Sequence, residues 1–205
     1  MKGIRSAIVI FIIVFQVLII CDVSGNDADF KGWGRFSNSG DAKKLLSWAR
    51  CLMDEILDGS QCRTRPDIAL PPYYGQYGLF VTLMKNNRVR GCFGAFSHRS
   101  HDFEATLRDY LAGALKRDTR YRPIERSEAA DTRIIITVAG EQYSVDDIYA
   151  IDTSRYGVVI TTDNSERIIF VPSEIKNIDF LKRRLSGQEI QQIAVFRAIT
   201  IREDR

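Results

Sequence analysis

Hydrophobic residues follow a helical spacing in two parts of this chain. Between residues 41 and 58 they recur every three or four positions, as at Leu45 and Trp48, and a glycine follows where the helix would end. The same spacing returns behind Asp102, a good helix cap, and extends to about residue 116. Both stretches are predicted to be amphipathic helices that turn one apolar face to a core.

Short runs rich in β-branched residues predict strands. Two of them, 79–84 and 88–93, flank Asn86-Asn87, a pair that tolerates the positive φ angles of a tight turn. Further elements are expected at 133–139 (strand), 156–162 and 167–171 (a second hairpin around 163–165), 173–185 (short helix) and 193–201 (strand). Hairpins separated by helices favour an α+β fold, an antiparallel sheet with flanking helices, over a doubly wound parallel sheet.

The N-terminus carries an apolar run, residues 7–21, preceded by Lys2 and Arg5. A charged start followed by such a run is typical of a secretory signal, which residues 1–25 would form if cleavage occurs before Asn26. Two alternatives stay open: an uncleaved anchor through residues 7–23, and a lipoprotein attached through Cys21. The chain is therefore expected to be exported, to a periplasmic or extracellular location, or to be membrane-anchored by this segment.

The composition of the remaining residues separates a predicted linker from a predicted folded domain. Residues 26–40 are rich in Gly, Ser, Asn and Asp, which predicts a linker, and residues 41–205 are expected to form the folded domain. With 205 residues, 45% hydrophobic residues and a net charge of +3, the chain has the makeup of an ordinary globular domain. There is no repeat and no low-complexity tract.

Four cysteines are too few for a disulfide-built scaffold, and no C-x-x-C pair indicates a zinc site. Cys51 and Cys62 flank the end of the first predicted helix and are eleven residues apart. In an oxidising compartment this spacing predicts a disulfide between them. The alternative is two unpaired cysteines, one of them on the core side of the helix.

The densest chemical signal lies in residues 89–96, VRGCFGAF. Gly91 and Gly94 permit a close approach of another backbone or of a ligand on either side of Cys92. As a candidate catalytic residue, Cys92 would be held partly as thiolate by Arg90. His98 and His101 follow as candidate bases or co-ligands.

The alternative for Cys92 is a buried packing residue, a common role for a free cysteine. No metal signature and no cofactor motif accompanies it: there is no P-loop, no Rossmann glycine pattern and no G-x-S-x-G elbow. We therefore expect no bound metal or cofactor.

Positive charge is concentrated around this segment. Residues 85–126 contain ten Lys and Arg against five Asp and Glu, a net of +5, while the other parts are balanced or acidic. This favours a small anionic ligand near Arg90, His98, Arg99 and the helix start at Asp102. A solvated surface would show the same charge count. A nucleic-acid surface is not expected, because such domains are much more basic.

Several separated motifs resemble the AMMECR domain family, named for a chromosomal region linked to Alport syndrome, midface hypoplasia and elliptocytosis. Residues 78–83, GLFVTL, match the family's G-x-F-V-T-L, and Arg90, Gly91, Cys92 and Gly94 match its L-R-G-C-I-G-T, with departures at Val89, Phe93 and Ala95. Residues 117–124 resemble its D-P-R-F-x-P-L stretch, and 157–159 with 170–174 resemble its G-V-x-V and L-L-P-E-V elements. The resemblance covers about residues 41–185.

The resemblance implies an α+β fold in two unequal parts, with the Arg-Gly-Cys hallmark at a cleft between them. It also implies bacterial and archaeal partners, a Memo-like protein and a radical SAM protein, and a suggested role in RNA modification. Two functions follow as expectations. One is a binding or scaffold module that recognises a small anionic ligand or a protein at the hallmark cleft, and the other is an enzyme of a modification system that uses Cys92.

Overall fold

An antiparallel sheet of six strands organises the chain. The computed structural model describes residues 24–63, 65–148 and 151–204. The strands are β1 (Gly78–Lys85), β2 (Arg88–Ala95), β3 (Thr132–Ser144), β4 (Tyr156–Thr162), β5 (Arg167–Phe170) and β6 (Ile190–Arg202). The helices are α1 (Ser24–Ser37), α2 (Gly40–Asp58), α3 (Phe103–Ala112) and α4 (Ile178–Leu185), with a π-helical turn at Gly113–Arg117 and 3₁₀ turns at Arg126–Asp131 and Pro172–Glu174. The predicted α+β fold is confirmed.

The strand order is β2-β1-β3-β6-β4-β5, and every neighbouring pair is antiparallel. Both predicted hairpins are present. The first turns at Asn86 and Asn87, whose φ angles of 52° and 56° suit the two-residue turn expected from their sequence. The second turns through Ser165 at a φ of 61°.

The sheet curls around one of its faces, here called the inner face. Phe80, Cys92, Val159 and Phe196 belong to one buried cluster on this face. Cys92 is in β2 and Val159 is in β4, four strands along the sheet, which would separate them by about 19 Å if the sheet were flat. The curl therefore brings residues from both ends of the sheet into one buried cluster.

The other face of β1 and β3 carries the largest core cluster. Leu79, Val81 and Leu83 alternate along β1 and pack with α2 and α3, together with Ile134 and Ile136 of β3. The helix α4 covers a separate cluster on β4, β5 and β6 through Leu181 and Leu185. The period-two pattern of β1 thus divides its side chains between the helix-covered face and the inner face.

The helix α1 corrects the prediction of a linker over residues 26–40 and of a domain that starts at residue 41. Phe30, Trp33 and Phe36 recur every third residue and are all buried in the main core. Trp33 is fully buried, and its indole N–H donates a hydrogen bond to the Pro72 carbonyl at 2.8 Å. Three aromatic anchors outweigh the poor helix propensity of the glycines between them, because tertiary packing supplies most helix stability.

Two other predicted elements differ in their bounds. The helix expected over 173–185 is interrupted: a 3₁₀ turn covers Pro172–Glu174, and α4 begins only at Ile178 with Asn177 as its cap. The Asn177 side chain accepts a hydrogen bond from the Phe180 N–H at 2.9 Å. Proline at the start of the turn and asparagine at the cap explain both boundaries.

The signal, anchor and lipoprotein alternatives fall on residues 1–23, which lie outside the described residues. Within the described chain, no helix has the length and apolar character needed to cross a membrane. Cleavage before Asn26 would fall in the first turn of α1.

The structure places a disulfide between Cys51 of α2 and Cys62 of the loop that follows, with 5.4 Å between their Cα atoms. The Cys62 N–H also donates to Glu55 Oε2 at 3.1 Å, so the loop is fastened to the last turns of α2 by two contacts. The disulfide and this hydrogen bond together fix the position of the first residues of the long loop between α2 and β1.

Gly91 is a packing glycine. A Cβ atom added to it would lie 1.9 Å from the Ala114 carbonyl oxygen, in the π-helical turn that packs on β2. Gly94 is equally crowded, because a Cβ there would lie 2.3 Å from the Leu79 carbonyl oxygen. Backbone atoms at these distances cannot yield as a flexible side chain can, so both glycines are needed for the packing of β2.

The disulfide predicts a labelling pattern. In protein purified without reductant and then denatured, alkylation should leave Cys51 and Cys62 unmodified, while prior reduction should add one label to each, counted by peptide mass spectrometry. Cys92, which is free, is the internal control and should be labelled in both samples. Labels on Cys51 and Cys62 without reductant would contradict the pairing.

Replacing Gly91 by alanine should lower the free energy of unfolding by about 1–3 kcal/mol, because β2 and the π-helical turn must move apart. Gly40→Ala is the matched control, since a Cβ there meets nothing within 4 Å. Urea denaturation of both variants measures the difference. Equal midpoints for the two variants would show that the turn does not rest on β2 as described.

Candidate functional site

The candidate site is a hydrogen-bonded network around Cys92, on the inner face of β2. Cys92 is about nine-tenths buried, and its sulfur accepts a hydrogen bond from Thr82 Oγ1 at 3.4 Å across the β1–β2 ladder. The Ser173 hydroxyl in turn donates to Thr82 Oγ1 at 3.0 Å. The buried Glu174 carboxyl group lies close enough to the thiol to influence the pKa of Cys92. The thiol thus lies between a hydroxyl donor and a buried carboxyl group.

Arg120 closes the network on the solvent side. Its Nη2 lies 2.9 Å from Asp118 Oδ2 and 3.0 Å from Glu174 Oε1, and its Nε lies 2.9 Å from Asp118 Oδ1. Asp118 Oδ2 also accepts the backbone N–H of Cys92 at 2.8 Å. The two carboxylate side chains are only 5% exposed, whereas the Arg120 side chain is 34% exposed. One partly exposed guanidinium group therefore forms ion pairs with two buried carboxylates.

Local structure explains how these residues reach one place. Glu174 ends the 3₁₀ turn after β5, where its Oε2 accepts the Val171 N–H at 3.3 Å. Asp118 directly follows the π-helical turn, and its Oδ1 accepts the Arg120 N–H at 3.1 Å. Both carboxylates are fixed by bonds to backbone within two or three residues, and the curl of the sheet then carries them to Cys92.

Burial and hydrogen bonding shift the pKa values of the two carboxyl groups and the thiol in different directions. Burial, followed by the charge of Glu174, raises the pKa of Cys92 well above its usual value. Burial also raises the pKa of Glu174, although Arg120 opposes that shift. For Asp118 burial acts upward too, but hydrogen bonds from Arg120 and from the Cys92 amide outweigh it and lower its pKa. The network holds a protonated thiol beside a carboxyl group with a raised proton affinity.

Arg90 takes no part in this network, which corrects the expectation that it stabilises a Cys92 thiolate. The β1–β2 register shifts at Arg90: Leu83 pairs with Gly91, and Met84 pairs with Val89. The bulged Arg90 directs its guanidinium to Glu128, with Nη2 3.0 Å from Oε2. The hydrogen bond from Arg90 is also the main cause that lowers the pKa of Glu128.

His98 is a buried structural histidine. Its Nε2 lies 2.7 Å from the Tyr77 carbonyl oxygen and its Nδ1 lies 2.8 Å from the Tyr110 hydroxyl. A carbonyl only accepts, so Nε2 carries the proton and Nδ1 accepts from Tyr110. Burial lowers the pKa of His98 and keeps the ring neutral. With both nitrogens engaged, His98 is not available as a base for Cys92.

The anion site expected over Arg90, His98, Arg99 and His101 is not assembled. Arg90 and the end of β2 at Ala95 are about 17 Å apart along the strand, and the other three residues lie beyond that end. His101 is exposed and stacks on Tyr74, with ring centroids 3.5 Å apart. At the start of α3 the Asp102 carboxylate accepts a hydrogen bond from the Glu104 N–H at 2.9 Å. A carboxylate of the protein thus already caps the N-terminus of this helix.

A cleft opens beside the network and is called here the concave cleft. It has a volume of about 440 Å³ and shares Ser173 with the hydrogen-bond chain to Cys92. Its lining consists of Met84, Asn87, Arg133, Ile135, Thr153, Ser154, Pro172, Ser173, Ile175, Lys176, Arg202 and Glu203. Glu203 is already bound by Arg50 and by the Ile134 N–H. The cations Arg133, Lys176 and Arg202 therefore dominate the charge of the cleft.

Sequence reasoning assigned no role to Thr82, Asp118, Arg120, Ser173 or Glu174. All five lie within stretches that resemble the AMMECR family, so the resemblance could have indicated them. Their spacing in the sequence does not indicate that they are close in space. No group of three or more His, Cys, Asp or Glu side chains in the described part of the chain is arranged to hold a metal ion.

Comparisons with known proteins agree with this architecture. A protein of Thermotoga maritima is 27% identical over 123 residues, which cover 58% of this chain and 70% of that protein. A protein of Methanococcoides burtonii is 29% identical over 129 residues, covering 60% of this chain and 62% of its own length. The chain thus matches under two thirds of the second relative.

The fold has a counterpart among solved structures. The crystal structure of an uncharacterised protein from Pyrococcus horikoshii superposes with a TM-score of 0.55 over 82% of this chain and 89% of that one, at 17% sequence identity. At that identity the likeness concerns the fold. The family model described as AMMECR1 matches residues 46–197, nearly three quarters of the chain and all six strands except the end of β6. By this match and by the hallmark around Cys92, the chain belongs to the AMMECR1 family.

Proposed function

We propose that this protein is a binding module that holds a small anionic ligand in the concave cleft, in an exported or membrane-tethered domain. The observation that carries the proposal is Ser173, which lines the cleft and also donates to Thr82, the hydroxyl that contacts the Cys92 sulfur. Ser173 therefore connects the family hallmark to the wall of a cationic cleft. The ligand is proposed to lie in this cleft instead of near Arg90, where the sequence predicted it.

The residues that line the cleft indicate which chemical groups the ligand contains. Lys176 and Arg202 are exposed, and neither has an ion-pair partner among the described residues. Arg133 is held in place by a hydrogen bond from its Nη2 to Asn87 Oδ1 at 2.5 Å. Lys176 and Arg202 favour a ligand with a carboxylate or phosphate group. Met84, Ile135 and Ile175 supply an apolar wall, which suits a ligand with a short apolar body.

The network gives the cleft wall its rigidity. Ser173 and Glu174 are neighbours in the 3₁₀ turn; the first bonds Thr82 of β1 and the second bonds Arg120. A turn fixed at both residues keeps the cleft preformed, which lowers the entropic cost of binding a ligand. In this role Cys92 acts through packing and hydrogen bonding.

The enzyme alternative requires a reactive thiolate at Cys92. Burial and the neighbouring Glu174 both raise the pKa of that thiol, and His98 is engaged elsewhere. The geometry thus favours binding over nucleophilic chemistry. The Memo-like and radical SAM partners rest on the family resemblance and stay predictions.

The binding proposal is tested with hexyl phosphate, which combines a phosphate group with a short apolar chain. At a large excess it should raise the melting temperature of the full chain, and hexanol should not, because binding to the folded state alone stabilises it. Lys176→Gln/Arg202→Gln should abolish the rise. Lys43→Gln/Arg183→Gln removes the same charge from exposed sites outside the cleft and should retain it. A rise that survives in the cleft variant, or no rise in the wild type, would overturn the proposal.

The state of Cys92 is tested by alkylating folded protein across a pH series and reading the Cys92 peptide by mass spectrometry. Because the pKa of this thiol is raised, labelling should be negligible near pH 8 and complete only after denaturation. Glu174→Gln removes a charge that raises the pKa, so labelling should begin at a lower pH than in wild type. The control Glu189→Gln changes an exposed carboxylate and should behave as wild type. Rapid wild-type labelling with an apparent pKa below the ordinary value of about 8.5 would support the enzyme alternative.

A further inference from the structure

A second cleft lies between α1 and β6 and is called here the α1–β6 cleft. Its volume is about 950 Å³. It is lined by Phe30, Lys31, Gly34, Arg35, Asn38, Ser154, Arg155, Tyr156, Arg197, Ala198, Ile199, Thr200 and Arg202. Five of these residues are cations and none is acidic. It exists only because the segment predicted to be a linker is a helix packed along β6.

Two arginines of this cleft, Arg35 and Arg155, differ from several others in the domain. Elsewhere Arg90 binds Glu128, Arg108 binds Glu55 and Arg120 binds Asp118. In the described part of the chain, no carboxylate lies within ion-pair distance of Arg35 or Arg155. The nearby Asp152 carboxylate instead bonds the Ser154 N–H and hydroxyl, at 3.0 and 2.6 Å. Arg35 and Arg155, without a carboxylate within ion-pair distance in this part of the structure, favour an anion with several oxygen acceptors.

The cleft is also partly apolar and partly rigid. The Arg197 guanidinium lies over the Phe30 ring, with its carbon 5.2 Å from the ring centroid, which fixes its position in the wall. Ala198 and Ile199 continue the apolar part of the lining. A ligand that suits this surface has a phosphate group and an adjoining apolar part.

The position of α1 in the chain indicates where such a ligand comes from. The apolar run of residues 7–21 ends three residues before Ser24, the first residue of α1. Lys31 and Arg35 lie seven and eleven residues into the helix, about 10 and 16 Å from its start. If residues 7–21 act as the expected anchor, a cationic surface at that distance from them would lie near the headgroup layer, where anionic lipids attract basic residues.

We propose that the α1–β6 cleft binds the phosphate of an anionic lipid headgroup, which orients the domain against the membrane to which residues 7–23 attach it. The proposal rests on the anchor expectation for those residues, and it does not depend on the identity of the ligand in the concave cleft. Phosphate is the shared chemistry of a lipid headgroup and a free phosphate ion, so the experiment must separate these two sources.

The test uses the full chain in dodecyl maltoside micelles, with bound lipid counted by native mass spectrometry and the melting temperature as a second readout. Phosphatidylglycerol, whose phosphate leaves the headgroup with a net negative charge, should bind and raise the melting temperature. Phosphatidylcholine, whose phosphate is neutralised by its own choline ammonium, should not. Lys31→Gln/Arg35→Gln/Arg155→Gln should weaken phosphatidylglycerol binding at least tenfold. Lys43→Gln/Arg183→Gln/Arg184→Gln removes the same charge from exposed positions outside the cleft and should leave binding unchanged.

Three results would overturn the proposal. Equal binding of both lipids would show that the apolar segment alone takes up lipid. Retention of phosphatidylglycerol in the cleft variant would place the lipid elsewhere on the protein. The full rise in melting temperature with inorganic phosphate alone would assign the cleft to a free phosphate instead of a lipid.

Discussion

The bridge from Arg120 to Asp118 and Glu174 is the contact on which the inner face of the sheet depends. Asp118 holds the amide of edge strand β2, and Glu174 belongs to the turn after β5, at the other end of the sheet. Leaving a buried carboxylate without its cation costs about 3–5 kcal/mol in other proteins, and the partial exposure of Arg120 lowers that figure here. The curl of the sheet, the burial of Cys92 and the shape of the concave cleft all require that these two segments stay together.

Periodicity predicted the elements whose signals are local. The helix α2 and the hairpin at Asn86-Asn87 follow from residues that are neighbours in sequence, and the structure confirms both. The helix α1 was missed because its glycine-rich and polar composition concealed Phe30, Trp33 and Phe36, which gain their stability from a core built by distant strands. Composition reports the intrinsic helix propensity of a segment. The stability of three buried aromatic rings depends instead on packing against residues from distant parts of the chain.

The same distinction explains the candidate site. The hallmark strand could be identified from residues 89–96, but Arg90 and His98 were grouped with Cys92 only because they are close in sequence. A register shift turns Arg90 away, and a tyrosine and a carbonyl engage His98. The net charge of +5 over residues 85–126 is largely offset by carboxylates from outside that segment. Arg90, Arg108 and Arg126 bind Glu128, Glu55 and Asp58, and Arg120 binds Glu174. Net charge along a sequence therefore locates a ligand only after such pairs are subtracted.

Other cations of the domain line two clefts that adjoin. Ser154 and Arg202 line both the concave cleft and the α1–β6 cleft. Two anions held on either side of Arg202 would share one guanidinium and repel each other across it, so each would weaken the binding of the other. Because coupling between two binding equilibria is reciprocal, the anionic ligand in the concave cleft would loosen the domain from an anionic membrane to the same extent that the membrane weakens the ligand. Under these two proposals, the shared Arg202 would link ligand binding and membrane orientation in one equilibrium.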